Sequence, residues 1–349
     1  MNVRRHSSSR IRTASSVAAV TALGLVALAG CSTGTADAGS GGKVELVASF
    51  YPMEYLAKEI GGEHVSVTGL TEPGVEPHDL EIGPQQTAKL GEADMMFYLK
   101  GLQPAVDEAV EQSGVKNAVD AATLTGHETE SESTGGHGDE HAEKGHAEEG
   151  HAEGGHAEEG HAEEEPPADD GHGHESGTDP HIWLDPVKYA AVAEGLGKEL
   201  EKADPDHAAD YAKNTKALVG KLEALDQEFE HGLESRTTDT FITTHAAFGH
   251  LAERYGLDQE AISGVDPESE PSPARMKELH AIAEKEKVST VFFETLVSGR
   301  TAKTLAADAG LRTDVLDPIE GITEKSAGDD YLEIMRANLA ALQKALGAK

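Results

Sequence analysis

Short apolar segments alternate with helical segments on both sides of one long, charged stretch near the middle of the chain. Strands are predicted at 44–50, 65–70, 95–99, 240–244, 288–294 and 313–316. Helices are predicted at 53–60, 85–92, 187–202, 206–233, 247–255, 273–286, 301–309 and 331–346. Strands that alternate with helices pair in parallel and are covered by those helices, so an α/β fold is expected in both halves.

The stretch from 206 to 233 is predicted to be a single helix. Its apolar residues recur at spacings close to three, four and seven, and its other face is charged. A helix of this length between two α/β halves suits a strut between two domains. Residues 43–349 are numerous enough for two domains of ordinary size.

The first 30 residues have the pattern of an export signal. Arg4 and Arg5 belong to a positively charged start, and an apolar run from 17 to 29 follows. That run is too short for a membrane-spanning helix, which needs about 20 residues. It fits a secretory signal peptide over 1–30, so the chain is expected to work outside the cytoplasm.

Cys31 is the only cysteine in the 349 residues, so no disulfide can form within the chain. Its place directly after Leu-Ala-Gly resembles a bacterial lipobox, which implies cleavage before Cys31 and acylation of its sulfur. Two or more acyl chains anchor a protein stably. Residues 31–42 would then be a flexible tether at the outer face of the cell membrane. The alternative is a plain secreted protein in which Cys31 is incidental.

A histidine-rich segment interrupts the first half. Its nine histidines are His127, His137, His141, His146, His151, His156, His161, His172 and His174. Because it has almost no large apolar side chain, it cannot offset its chain entropy by burial, and 127–175 is predicted to be a disordered loop. The segment is interpreted either as a set of weak metal-binding sites or as a solubilising linker.

The formal net charge of the chain is −35, and 17 Asp/Glu with one Lys between 127 and 175 account for −16 of it. No basic face is left to neutralise phosphates, so nucleic-acid binding is excluded. The same charge repels an anionic membrane surface, so attachment to a membrane would depend on lipid at Cys31.

Five potential metal ligands lie in loops that border predicted strands and helices: His78, His181, His245, Asp317 and Glu320. In open α/β sheets, sites form beyond the carboxyl ends of strands, so these loops, from both halves, are expected to meet across a cleft. Three imidazole nitrogens and one carboxylate oxygen favour Zn²⁺ over Mg²⁺, Ca²⁺ or Mn²⁺, which prefer more oxygen ligands.

Other polar residues near these loops are weaker candidates. Asp185 is interpreted as a group that orients a histidine ligand by accepting a hydrogen bond from the ring N–H that does not face the metal. Glu294 and Asp266 are possible cleft carboxylates, with hydrogen-bonded loop structure as the alternative. His250 is predicted to have a packing or surface role, and Trp183 to lie in the core near the cleft.

Five motifs resemble those of the cluster A-I (cluster 9) metal-binding proteins of ABC importers, and in particular their ZnuA/AdcA-like zinc branch. They are ASFYP at 48–52, EPGVEPHD at 72–79, DPHIWLDP at 179–186, THAAF at 244–248 and LDPIEG at 316–321. The motifs appear in the order found in the family, and the resemblance covers the chain from 44 to 348.

The resemblance implies two (β/α)₄-like lobes with parallel sheets, at 43–205 and 235–349, joined by one long rigid helix at 206–234. The metal would lie between the lobes. His78, His181 and His245 match the three family histidines, and the manganese branch has a carboxylate where His245 stands. The fourth ligand is left open between Asp317, Glu320 and water.

The function implied is that of an extracytoplasmic, lipid-anchored Zn²⁺ receptor, with one tight site, that delivers zinc to an ABC importer. Its partners would be a permease with a separate ATPase subunit, and the chain itself is expected to be a monomer and not an enzyme. The alternatives are a manganese or iron receptor of the same fold, a zinc hydrolase, and an extracellular zinc buffer or adhesin without a transporter. The hydrolase is disfavoured because no His-Glu-x-x-His motif is present.

Overall fold

The computed structural model describes residues 42–125 and 179–348. The predicted signal peptide, Cys31 with nearly all of its tether, and the nine histidines of the histidine-rich segment lie outside these residues. Within the described ranges, no helix is long and apolar enough to cross a membrane.

The first half contains a four-stranded parallel sheet with the order β2-β1-β3-β4. Its strands are β1 (Val44–Ala48), β2 (Val65–Gly69), β3 (Met95–Tyr98) and β4 (Ala118–Asp120). The helices of this half are α1 (Tyr51–Gly61), α2 (Pro84–Glu92), α3 (Pro104–Ser113) and α4 (Pro186–Ala203). Each of the four begins with a proline at its first or second position, where a missing N–H costs no hydrogen bond.

The second half repeats this arrangement, with a parallel sheet of order β6-β5-β7-β8. Its strands are β5 (Thr240–Thr243), β6 (Asp258–Ala261), β7 (Thr290–Phe293) and β8 (Arg312–Val315). Its helices are α6 (Gly249–Tyr255), α7 (Pro273–Lys285), α8 (Arg300–Ala309) and α9 (Tyr331–Leu346). Two parallel sheets of the same strand order confirm the predicted α/β fold.

Helix α5 (Ala208–Leu233) lies between the two halves in the chain and has 26 residues, which makes it about 39 Å long. It is tied to the first half where Asn214 Nδ2 donates to the carbonyl of Ile60 at 3.0 Å. It is tied to the second half where Asp226 accepts two bonds of 2.8 Å from the Arg254 guanidinium. The predicted strut helix is therefore present and anchored at both ends.

A buried aromatic cluster joins the halves beneath the loops that carry the candidate ligands. Trp183 Nε1 donates to the carbonyl of Pro318 at 2.7 Å, and the Tyr331 hydroxyl donates to the carbonyl of Trp183 at 2.6 Å. The rings of Phe50 and Trp183 pack edge to face, with their centroids 5.0 Å apart. These polar atoms are fully buried and paired, so the cluster fixes the loops around 181 and 318 against each other.

Candidate metal centre

The four side chains that meet at the centre come from four separate loops. His78 follows β2, His181 precedes α4, His245 follows β5, and Glu320 follows β8. Because the strands of each sheet are parallel, the loops after β2, β5 and β8 leave their sheets at carboxyl ends, where sites form in open α/β folds. These loops, two from each half, bring His78, His181, His245 and Glu320 close to one another.

The four ligand atoms all lie within 4.8 Å of one another. Glu320 Oε1 is 3.4 Å from His78 Nε2, 3.3 Å from His181 Nε2 and 3.3 Å from His245 Nε2. These separations exceed those of normal charge-assisted hydrogen bonds, which are about 2.7–2.9 Å. All three Nε2 atoms and both Glu320 oxygens are buried without a hydrogen-bond partner among the described residues.

Two of the imidazoles are oriented by carboxylates on their far sides. His181 Nδ1 donates to Asp179 Oδ1 at 2.7 Å, and His245 Nδ1 donates to Glu294 Oε1 at 2.8 Å. A donor at Nδ1 leaves Nε2 as the atom with a free lone pair once the ring is neutral. This carboxylate–imidazole arrangement fixes ring orientation and raises ligand basicity in metal sites.

His78 is held differently. Its backbone N–H donates to Glu76 Oε1 at 3.0 Å, and Glu76 Oε2 accepts from the backbone N–H of Asp79 at 3.2 Å. Its side chain is 10% exposed, while those of His181 and Glu320 are fully buried. The open side of the cluster therefore lies at His78.

Charge is concentrated at the cluster. Burial lowers the pKa of His245, but the nearby Glu294 and Glu320 carboxylates outweigh it and raise the pKa to about 10. Burial also lowers the pKa of His181, and Asp179 and Glu320 again reverse the effect. Burial raises the pKa of Glu320, but its three imidazole neighbours hold that pKa well below its usual range.

The second candidate carboxylate, Asp317, lies outside the cluster. Its Oδ1 accepts from the backbone N–H of Ile319 at 2.8 Å, and its Oδ2 accepts from the hydroxyls of Thr295 and Ser326, both at 3.1 Å. Ile319 is fully buried with φ of 59°, a left-handed conformation that is rare for a β-branched residue. The Asp317 carboxylate thus supports the strained turn that brings Glu320 to the histidines.

Three other residues near the predicted ligands lie outside the cluster. Asp185 caps α4, where its Oδ1 accepts from the backbone N–H groups of Val187 and Lys188, so the prediction that it orients a ligand is wrong. Asp266 stabilises an exposed loop through a bond from the Glu268 backbone N–H at 2.8 Å. Trp183 is fully buried, and its ring centroid is 5.1 Å from that of His181, so it lies in the core near the cleft as predicted.

Two supporting carboxylates were not assigned from sequence. Asp179 stands two residues before His181, but no sequence pattern indicates that its side chain folds back onto the ring. Glu294 is predicted only as a cleft carboxylate, and nothing in the sequence links it to His245, which is 49 residues away.

The donor set fits a divalent cation. Three buried imidazole nitrogens and one buried carboxylate oxygen, none of them hydrogen-bonded within the described ranges, converge on one small volume. Buried polar groups normally have partners, so unpaired atoms that face one another fit a bound ligand. Three nitrogens with one oxygen is a normal ligand set for zinc.

Residues 46–345 match the family model described as zinc-uptake complex component A, periplasmic (ZnuA). The zinc-binding lipoprotein AdcA of Streptococcus pneumoniae is 36% identical over 312 residues, which are 87% of this chain. The chain spans only 56% of the length of that protein. The high-affinity zinc uptake system protein ZnuA of Bacillus subtilis is 33% identical over 330 residues, 93% of this chain and 95% of that one.

Among solved structures, the Zn(II)-bound ZnuA-like domain of Streptococcus pneumoniae AdcA superposes with a TM-score of 0.65 at 31% identity. The match covers 87% of this chain and 99% of that domain. The resemblance seen in the sequence motifs is confirmed by both kinds of comparison. With 300 consecutive residues matched by the family model, the chain belongs to the family of periplasmic zinc-uptake component A, ZnuA.

Proposed function

We propose that this chain is an extracytoplasmic receptor that binds one Zn²⁺ tightly through His78, His181, His245 and Glu320. The observation that carries the proposal is the spacing of the ligand atoms. Zinc bonds of about 2.0–2.1 Å in tetrahedral geometry place ligand atoms about 3.3–3.4 Å apart. Glu320 Oε1 lies 3.3–3.4 Å from each of the three Nε2 atoms, which is the separation that such a site requires.

Zinc is favoured over manganese or iron by the ligand types. Manganese prefers sites with more carboxylate, carbonyl or water oxygens. In the cluster, His245 supplies a nitrogen at the place where the manganese branch has a carboxylate. The names of the relatives, a zinc-binding lipoprotein and a zinc uptake protein, support the same choice.

Glu320 is proposed as the fourth ligand in preference to Asp317. Both Glu320 oxygens are buried and unpaired in the described structure, whereas both oxygens of Asp317 accept hydrogen bonds. A carboxylate already saturated by local donors gains less from a metal than one that has none.

Delivery to an ABC importer permease with a separate ATPase is proposed from the family membership, as is a location outside the cytoplasm. Anchoring through acylated Cys31 and a monomeric state remain predictions from the sequence. The histidine-rich segment is proposed to bind further Zn²⁺ weakly, because its imidazoles and carboxylates recur every few residues.

The test is a Zn²⁺ titration of the purified chain against a chromophoric chelator, followed by competition with Mn²⁺. One tight equivalent is expected, together with weaker equivalents that disappear when residues 127–174 are deleted. Alanine at position 78, 181 or 245 is expected to weaken the tight site by more than ~100-fold, since losing a ligand costs more than losing a supporting group. Displacement of zinc by Mn²⁺ at similar concentration would contradict the proposal.

A further inference from the structure

His250 lies in the first turn of α6, five residues beyond His245, and is outside the ligand cluster. Both of its ring nitrogens are hydrogen-bonded. Lys188 Nζ is 2.6 Å from Nδ1, and Nε2 is 2.9 Å from the carbonyl oxygen of Asp179. A lysine ammonium can only donate and a carbonyl can only accept, so Nδ1 is the acceptor and Nε2 carries the hydrogen.

Asp179, which accepts this bond at its backbone, also holds a ligand with its side chain. Its Oδ1 accepts from both the backbone N–H of His181, at 3.0 Å, and the ring Nδ1 of His181, at 2.7 Å. Its other oxygen, Oδ2, packs against Gly249, where an added Cβ would lie only 2.5 Å away. Two consecutive residues of the second half therefore fix Asp179, which orients a ligand of the first half.

We propose that His250, with its tautomer set by Lys188, is a positioning residue of the zinc site. Through Asp179 it aims the imidazole of His181 at the other three ligands, and Gly249 provides the space that the Asp179 carboxylate needs. This inference rests on the proposed zinc site and extends it to residues that contact no ligand atom. Groups that act through a ligand's partner typically change metal affinity by 10–100-fold, and His250, one step further out, is expected near the lower limit.

Two amide substitutions distinguish the role of the ring nitrogen Nε2 of His250 from that of Nδ1. In His250→Gln, the side-chain amide can place a donor near the position of Nε2, whereas in His250→Asn it can only replace the acceptor at Nδ1. His250→Ala and His250→Asn are expected to weaken Zn²⁺ binding about tenfold, while His250→Gln restores affinity close to that of the wild type. As a single substitution, Lys188→Met is expected to weaken Zn²⁺ binding. In a chain that already carries His250→Gln, Lys188→Met is expected to cause no further loss.

Gly249→Ala tests the same positioning by an independent route. The new methyl group would displace the Asp179 carboxylate and is expected to weaken zinc binding about tenfold. The matched control is Gly220→Ala in α5, where an added Cβ would meet no described atom within 4 Å beyond the adjacent residues and the nearby backbone of its own helix. His231→Ala is the matched histidine control, since His231 is exposed and, among the described residues, bonds only to the Gln227 carbonyl of its own helix. Neither control is expected to change zinc affinity.

The measurements are chelator competition for Zn²⁺, the visible absorption spectrum with one equivalent of Co²⁺, and urea unfolding of the metal-free chain. A positioning role predicts altered cobalt bands in His250→Ala and Gly249→Ala and wild-type bands in His250→Gln. Equal weakening in His250→Gln and His250→Ala, or unaltered cobalt bands in all variants, would overturn the inference. If the wild type binds Zn²⁺ tightly and His250→Ala binds it equally tightly, this inference alone is overturned. If the wild type does not bind Zn²⁺ tightly, the proposed function is overturned as well.

Discussion

The carboxylate of Asp317 accepts a hydrogen bond from the backbone N–H of Ile319 at 2.8 Å, and this contact lies inside the turn that presents Glu320. Asp317 is also joined to Asn338, whose side-chain oxygen accepts from the Asp317 backbone N–H at 2.9 Å. The two carboxylates of one short segment therefore have separate tasks. Asp317 stabilises the turn, and Glu320 faces the three imidazoles.

The first prediction separates these tasks. Glu320→Gln is expected to weaken Zn²⁺ binding by at least ~10-fold, because a neutral amide is a poorer zinc ligand than a carboxylate. Asp317→Asn keeps an oxygen that can accept from Ile319 and is expected to leave zinc affinity within about threefold of the wild type. Chelator competition measures both. Stronger weakening by Asp317→Asn than by Glu320→Gln would show that the assignment of the fourth ligand is reversed.

The second prediction concerns the carboxylate behind His245. Glu294→Gln removes the charge that accepts from His245 Nδ1 and is expected to weaken zinc binding by about 10–100-fold. Asp185→Asn is an equally conservative control at a buried helix cap, and its zinc affinity is expected to be unchanged. If the two variants bound zinc equally well, the supporting role of Glu294 would have to be abandoned.

The third prediction is the pH dependence of zinc binding. In the metal-free protein, carboxylate neighbours hold the pKa of His245 at about 10 and raise that of His181, despite burial. The His245 ring is therefore charged at pH 7, and zinc, which needs neutral imidazole, must displace its proton. Calorimetry in buffers of different ionisation enthalpy is expected to show net proton release at pH 7, with zinc affinity increasing as the pH rises towards 10.

The same pKa shifts make the free energy of unfolding of the metal-free chain depend on pH. A histidine pKa raised from about 6.5 in the unfolded chain contributes stability below pH 6.5, and this contribution is lost as pH rises through the folded value of about 10. Urea midpoints should therefore fall between pH 7 and 10 without zinc and change little with zinc bound. Zinc binding without proton release at pH 7 would contradict this account.

Much of the fold was predictable because most strands and helices carry a clear apolar pattern. The closing helix was predicted at 331–346, the bounds at which α9 is found. Strand β6 was missed because its residues, Asp258–Ala261, include no large apolar side chain, and its position depends on backbone pairing with β5. Strand β4 has only three residues, too few to show a period, and helix α3 was also missed.

The sequence indicates which residues are candidate ligands of the centre, but not how their side chains are oriented. The positions of His78, His181 and His245 in loops at the ends of strands or helices indicated a shared site. The choice between Asp317 and Glu320 depends on which carboxylate the turn at Ile319 directs inward, and no sequence pattern encodes that φ of 59°. The support of His181 by Asp179 likewise depends on how the chain folds back over two residues.

The most direct test of the central claim is X-ray absorption spectroscopy at the zinc edge, on the chain loaded with one equivalent of Zn²⁺. The account predicts a shell of three imidazole nitrogens and one carboxylate oxygen at about 2.0–2.1 Å. It also predicts that, in a chain without residues 127–174, His181→Ala gives a shell with one imidazole fewer. A shell with fewer than three imidazoles in the wild type, or one left unaltered by His181→Ala, would contradict the claim that these residues hold the ion.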